Sequence, residues 1–361
     1  MIAWMLVATL ALPAPVPAAE AAPPAPEQVM AVPPLLRAQL QVEVIDPARG
    51  TLDRLQRLTR FMDDDKRGLG LRYQEDATHT VAEAYSSRQA NCVTYTLVFL
   101  ALAHLAGLEA YPQEIEEILS WEQLGDIVYR GNHVNVLVRV GRHYYLVDVG
   151  SDSMIGRHPA KRITMQRALA QYYNNRAVGL LSEQRMSAAL AHADIALELD
   201  PGYPTTWSNT GVLRLRSGDA SGAERAYLTA LKLDPDNASA LFNLVGLYQR
   251  SGDRERETPL RKRLEEVEQL DPFHHFLLAA EYEKRGDGAR AVEHYRHAIR
   301  LHGDEHRFYS GLARAYLLEG DLRRARRALR RALSLAEDQA ARASYQARLE
   351  QLPVMRWSRS R

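Results

Sequence analysis

The sequence predicts an α+β domain followed by an all-helical repeat solenoid, and three observations carry that expectation. Gly-Asp pairs stand at Gly218-Asp219, Gly252-Asp253, Gly286-Asp287 and Gly320-Asp321, each 34 residues from the next. Between Asp46 and Ile163 the texture changes to apolar helical runs followed by alternating strand-like runs. The one cysteine among 361 residues, Cys92, opens the most apolar of those helical runs.

The chain begins with an uncharged apolar run, Met1 to Leu12, too short to span a bilayer. Pro/Ala-rich sequence follows, with small residues at Val16 and Ala18 or at Ala19 and Ala21. Residues 1–21 therefore read as a secretory signal peptide with two possible cleavage points, although no Lys or Arg precedes Arg37. The location this implies is periplasmic or secreted, in a bacterium. Residues 22–45 keep the Ala/Pro composition and read as a flexible or polyproline-like linker. A single cysteine excludes an internal disulfide, a cysteine-rich zinc site and a CxxC redox pair. The formal net charge of +1 argues against a nucleic-acid binder, since neutralising phosphates needs a basic excess. Neither a cofactor nor a metal is expected. His294, His297, His302 and His306 have the spacing of a helix surface, with no accompanying carboxylate or thiol set.

In the first domain, taken as residues 46–165, helices are expected at Leu52 to Phe61, Thr80 to Tyr85 and Cys92 to Leu108. Two strands follow, His133 to Val140 and His143 to Val149, joined by a tight turn at Gly141-Arg142. Asn91 is a good N-cap, which places Cys92 in the first turn, where free N–H groups and the helix dipole favour a thiolate. A purely structural cysteine would sit more naturally among Leu97, Leu100 and Leu102. Alternation puts His133, Asn135, Leu137 and Arg139 on one face of their strand and the valines on the other. A turn at Gly141-Arg142 sets Val140 opposite His143, so Asn135 faces Asp148 and His133 lies one diagonal step away on the same face. An acid beside an imidazole, with a thiol supplied by a helix start, is what nucleophilic cysteine catalysis requires.

In the second half, small residues recur in the register of the Gly-Asp pairs, at Ala189, Ala223, Ala291 and Ala325 and again at Ala196, Ala230, Ala298 and Ala332. Glycine makes a turn between two helices, the alanines allow close helix approach, and Pro201 and Pro235 close two units. This pattern resembles the tetratricopeptide repeat. It gives five units over residues 166–340, beginning near Ala170, Pro204, Ala238, Pro272 and His306, with a capping helix and basic tail over 341–361. The first unit has Gln184 in place of glycine. The third carries Glu257 and Leu264 at small-residue positions and Asp271-Pro272 three residues late, which predicts a longer second helix and a local change of superhelical pitch.

The order Cys, His, Asp resembles the transglutaminase-like superfamily, with its papain-like core. Asn91-Cys92, Phe99 to Ala103, Ala106-Gly107-Leu108, Gln113-Glu114 and Asn132 to Val136 resemble exported bacterial proteins that join such a domain to tetratricopeptide repeats. The resemblance implies Cys92 as nucleophile, His133 as general base and then acid, and Asp148 as the residue that orients the imidazole. It also implies the Cys92 backbone N–H as one oxyanion donor. Val93 and Thr94 stand where true transglutaminases often carry an aromatic residue, which points away from crosslinking and toward hydrolysis or acyl transfer at an amide. Trp121, Tyr129 and Gln113 are candidate cleft residues. A second reading stands beside this one: a non-catalytic periplasmic scaffold with a degenerate docking domain.

For the repeats, the expected partner is a protein or peptide on the concave face. Asn175, Asn209 and Asn243 occupy one equivalent position in three successive units, suited either to bonding an extended backbone or to bonding between helices. The concave positions Gln171, Asn174, Val178, Thr205, Ser208 and Val212 include no Lys or Arg, so capture of a C-terminal carboxylate is not expected. Residues 321–361 hold eleven arginines against four acids, suited to peripheral contact with an anionic surface or to a solvated cap.

Overall fold

A computed structural model describes residues 22–115, 121–124, 127–130, 133–148, 160–336 and 339–352. The leader reading of residues 1–21 and the tail 353–361 lie outside the described residues. Among the described residues, no helix is long and apolar enough to cross a membrane.

The segment read as a linker is folded. It forms α1 (Pro26–Val29) and α2 (Pro34–Leu40), and α2 runs on into a π-helical turn at Gln41–Ile45. Two of the prolines that suggested a tether, Pro26 and Pro34, sit at helix starts, where a missing N–H costs nothing. Leu36, Leu40 and Val44 recur every four residues and are fully buried in the core of the first domain.

Next come α3 (Thr51–Asp63), β1 (Arg72–Tyr73), α4 (Val81–Ser87), β2 (Gln89–Ala90) and α5 (Cys92–Leu105). Helix α5 ends three residues earlier than expected, at a turn in which Gly107 takes φ 67°. Its residues from Val93 to Ala103 are all buried, so it forms the axis of the domain. Beyond it lie β3 (Glu109–Ile115), β4 (Trp121–Leu124), β5 (Ile127–Arg130), β6 (His133–Val140), β7 (His143–Val147) and β8 (Lys161–Arg162). Four of these make one sheet in the order β7-β6-β3-β8. The β6–β7 hairpin has the expected register, with Val140 opposite His143 and Val136 opposite Val147. Strand β3, absent from the sequence expectation, pairs antiparallel along nearly the whole of β6. Val134, Val136 and Val138 are buried, the last two in the core with Phe99 and Leu102.

The second half is a stack of helix pairs. These are α6 (Met165–Ser182) with α7 (Met186–Leu199), α8 (Pro204–Arg216) with α9 (Ala220–Leu233), and α10 (Ala238–Ser251) with α11 (Arg254–Gln269). Two further pairs, α12 (Pro272–Lys284) with α13 (Gly288–Leu301) and α14 (His306–Leu318) with α15 (Leu322–Leu335), precede α16 (Gln339–Gln351). Each Gly-Asp pair performs two tasks. The glycine adopts positive φ, from 72° to 90°, to end one helix, and the aspartate caps the next by accepting a backbone N–H. Gln184 takes φ 61° at the same place in the first pair and tolerates it without a glycine. All eight register alanines are fully buried.

The irregular third pair has the longer second helix that its sequence predicts, 16 residues with Pro259 inside and only Leu264 buried. In the second pair, Gly211 faces the buried ring of Tyr227, and a Cβ at Gly211 would stand 2.4 Å from Tyr227 Cε1. Gly211→Ala is therefore expected to destabilise the array by about 1–3 kcal/mol, read as a lower urea midpoint with an unchanged slope.

Candidate active site

Helix α5 starts where the sequence places it, and its start is rigidly held. Asn91 Oδ1 accepts the Thr94 N–H at 2.9 Å, while its amide donates to Thr78 Oγ1 at 2.7 Å and to the Glu75 carbonyl at 3.3 Å. Cys92 is thus fixed in the first turn, free of any disulfide and partly accessible. One turn on, the Thr96 hydroxyl donates to the Val134 carbonyl at 3.2 Å. That bond ties the cysteine helix to the strand residue next to His133.

The hairpin register brings the other two groups together. His133 Nε2 donates to Asp148 Oδ1 at 2.6 Å, and Asn135 Nδ2 donates to Asp148 Oδ2 at 3.1 Å. Both carboxylate oxygens are therefore engaged, and the imidazole tautomer is set by an acceptor that cannot donate. His133 and Asn135 are each only 2% exposed. The Cys92 side chain lies beside the same imidazole and interacts with it. Burial alone would depress His133, but the bonded Asp148 carboxylate and the Cys92 sulfur outweigh it and raise its pKa to about 9. The imidazolium form is therefore favoured at neutral pH. Cys92, His133 and Asp148 form one contiguous cluster. Asp148 directly follows β7 rather than lying within it, and Val149 lies outside the described residues.

Gln113 lies directly opposite Asn135 in the β3–β6 register, on the row that carries the site. Trp121 and Tyr129 lie on β4 and β5, and their side chains are outside the described residues.

Three functional neighbours escape sequence reasoning. The register places Asn135 opposite Asp148 but does not mark it as the second residue bonded to that carboxylate. Thr96 carries a signal, being a hydroxyl four residues after the cysteine in an apolar helix. Glu114 of β3 enters the sequence reading only as part of a pattern. It is fully buried and anchors the first repeat: Gln171 Nε2 donates to Oε1 at 2.8 Å, and Arg167 pairs with Oε2 at 3.1 Å. Arg167 also reaches Asp200 at 2.9 Å and lies 3.4 Å above the Tyr203 ring. Around this network Val29, Val93, Leu97 and Val134 pack with Leu169, Tyr172 and Tyr173 of α6. The site and the repeats are joined by a buried interface.

The asparagine row divides. Asn209 Nδ2 donates to Asn174 Oδ1 at 3.0 Å, a bond between helices, and Asn175 is half-buried beside Asn174. Asn243 is buried with its Nδ2 unpaired among the described residues. In the fourth pair, His275 Nδ1 meets His294 Nδ1 at 3.1 Å, and the His275 ring stacks on His297.

Comparison with known proteins places the helical half. The family model for the tetratricopeptide repeat matches residues 209–256 and 276–350. Among curated proteins, the chain is 33% identical over 102 residues to the Hsp70-Hsp90 organizing protein of Triticum aestivum, covering 28% of this chain and 18% of that one. It is 29% identical over 150 residues to the cytochrome c-type biogenesis protein CcmH of Escherichia coli (strain K12), covering 40% of each. The chain thus spans well under half the length of these relatives. Among solved structures, it is similar to a thermophilic tetratricopeptide protein of Thermus thermophilus, with 24% identity, a TM-score of 0.29, and 50% of this chain and 99% of that chain covered. It is also similar to YrrB, a tetratricopeptide protein with an unusual peptide-binding site, with 19% identity, a TM-score of 0.27, and 49% and 92% covered. With the family match, the 34-residue register and the stacked helix pairs in agreement, the second half of the chain is a tetratricopeptide-repeat solenoid.

Proposed function

We propose that this chain is a protein-binding repeat scaffold whose first domain carries a thiol nucleophile for attack on an amide or related acyl bond. The observation that supports the nucleophile is the cluster itself: a cysteine in the first turn of a helix, beside an imidazole whose Nε2 is held at 2.6 Å by a carboxylate. In this reading the domain is transglutaminase-like. The Cys92 sulfur attacks the acyl carbon, protonated His133 gives its proton to the leaving amine, and water or a second amine, deprotonated by His133, resolves the thioester. Asp148 stabilises the imidazolium and fixes its orientation. The repeats bind the protein or peptide that is modified or assembled. A periplasmic or secreted setting rests on the sequence of residues 1–21 alone.

A second reading, in which the repeats are the whole function and the first domain only docks, has direct support from the comparisons, because the family match falls on the repeats. Alkylation of Cys92 by iodoacetamide separates the two. The catalytic reading expects rapid alkylation at pH 6 and at least a tenfold slower reaction in His133→Ala. Alkylation that tracks an unassisted thiol, half-maximal near pH ~8.5, and is identical in both proteins would rule the nucleophile out.

A further inference from the structure

The row that carries the site continues into a second surface on the same face of the sheet. Residues directly opposite one another on antiparallel strands share a face, so the register sorts that face into rows. Gln113 and Asn135 make the row that meets Asp148, whose carboxylate Asn135 holds at 3.1 Å. The next row is Tyr111, Leu137 and Leu146, and the one beyond it is Glu109, Arg139 and Tyr144. The reverse face of β6 carries Val136 and Val138, both fully buried in the core with Phe99 and Leu102 of α5. The outer rows are open: Leu146 is 59% exposed and Tyr144 56%, while Leu137 and Tyr111 are half-buried. A contiguous apolar patch of this kind marks a contact surface rather than a core. Charges at its rim are already engaged, with Arg139 pairing with Glu109 at 2.8 Å and the Arg162 guanidinium lying 3.0 Å above the Tyr111 ring.

We propose that the row of Tyr111, Leu137 and Leu146 is the subsite for a large uncharged apolar side chain on the acyl residue of the substrate, the residue whose carbonyl Cys92 attacks. This rests on the reading of Cys92 as the nucleophile, and it names the substrate class that such a reading leaves open. Continuity carries the assignment. Leu146 and Asp148 are two residues apart on one face, roughly 6–7 Å, which is the span of an aromatic or long aliphatic side chain from its own carbonyl. An acyl group seated beside His133 therefore lays such a side chain on the neighbouring row. Leu137 and Leu146 offer no hydrogen-bond partner, so a charged side chain there gains nothing to replace its water.

Two measurements on the full chain test it. In the first, Cys92 is alkylated by the chloromethyl ketones of acetylphenylalanine and of acetylglycine. The two probes share a reactive group, so the ratio of their second-order rates removes the reactivity of the thiol itself. The phenylalanine probe is expected to react at least about tenfold faster, and Leu146→Lys, a change at an exposed position, is expected to lower that ratio to about threefold or less. A ratio near one in the unaltered protein, or a ratio that Leu146→Lys leaves intact, overturns the subsite and leaves the nucleophile standing. Failure of both probes to label Cys92 overturns the nucleophile and, with it, the assignment of the row to an acyl residue. The second measurement does not need the thiol: methyl NMR spectra of Cys92→Ala are followed as N-acetylphenylalaninamide or N-acetylglycinamide is added. Shifts at Leu137 and Leu146 with the first compound alone are expected. No shift at either leucine, equal shifts with both compounds, or shifts that follow protein concentration, as in a contact between two copies, overturn the proposal.

Discussion

Glu114→Ala is expected to cost about 3–5 kcal/mol of stability, the largest loss of any single substitution at the junction between the two halves. Glu114 is fully buried and accepts from both Arg167 and Gln171. Removing it leaves the Arg167 guanidinium largely buried with one carboxylate, Asp200, in place of two. The penalty comes from the charge left behind rather than from the hydrogen bonds themselves. Glu114→Gln keeps the shape and one acceptor, so it should fall between the wild type and alanine. Urea unfolding of the three proteins reads this order. A loss below ~1 kcal/mol for the alanine variant would place the strength of the junction in the apolar cluster of Val93, Leu97, Val134 and Tyr172 instead.

Asp148→Asn should have the largest effect on reactivity. Asparagine retains an oxygen to accept from His133 Nε2 but carries no charge, so the pKa of His133, held near 9, should fall toward its ordinary value. Thiol reactivity at pH 6 should then drop roughly 10²-fold. Imidazole chemical shifts followed against pH give the first quantity, and iodoacetamide rates give the second. The stability signature has a definite sign. A histidine whose pKa is raised by folding stabilises the fold fully below ~6.5, and that contribution is lost as pH rises through about 9. The wild type should therefore lose stability between pH 6 and pH 9.5 more steeply than Asp148→Asn. Parallel profiles would mean that the carboxylate is not what holds the proton on His133.

Much of the site is legible in the sequence because its parts obey short-range rules. The Asn91 cap and the Gly141-Arg142 turn are local signals, and strand alternation then carries His133 and Asn135 to Asp148 without any tertiary information. Strand β3 is not legible for the opposite reason. Glu109–Ile115 contains Pro112 and has little alternation, because its inner positions are buried on both faces once α5 and the first repeat pack against it. Its identity as a strand comes from its neighbours. The folded segment 26–45 reads as a linker when composition outweighs period, although the four-residue recurrence of Leu36, Leu40 and Val44 is present among the prolines and alanines. Glu114 cannot be assigned from the sequence, since its partners Arg167 and Gln171 lie more than fifty residues away.

Helix α11 has a mechanical consequence. With an internal proline and a single buried side chain, it gives the third pair a thin seam. Beyond it, the aromatic and alanine packing around Tyr295, Leu312 and Tyr345 forms a core of its own, separate from the one around Tyr227 and Tyr248. In a nearest-neighbour array, the weakest link bends first under load. The solenoid is thus expected to yield first at α11, between a proximal segment anchored to the sheet through Glu114 and a distal segment with its own core.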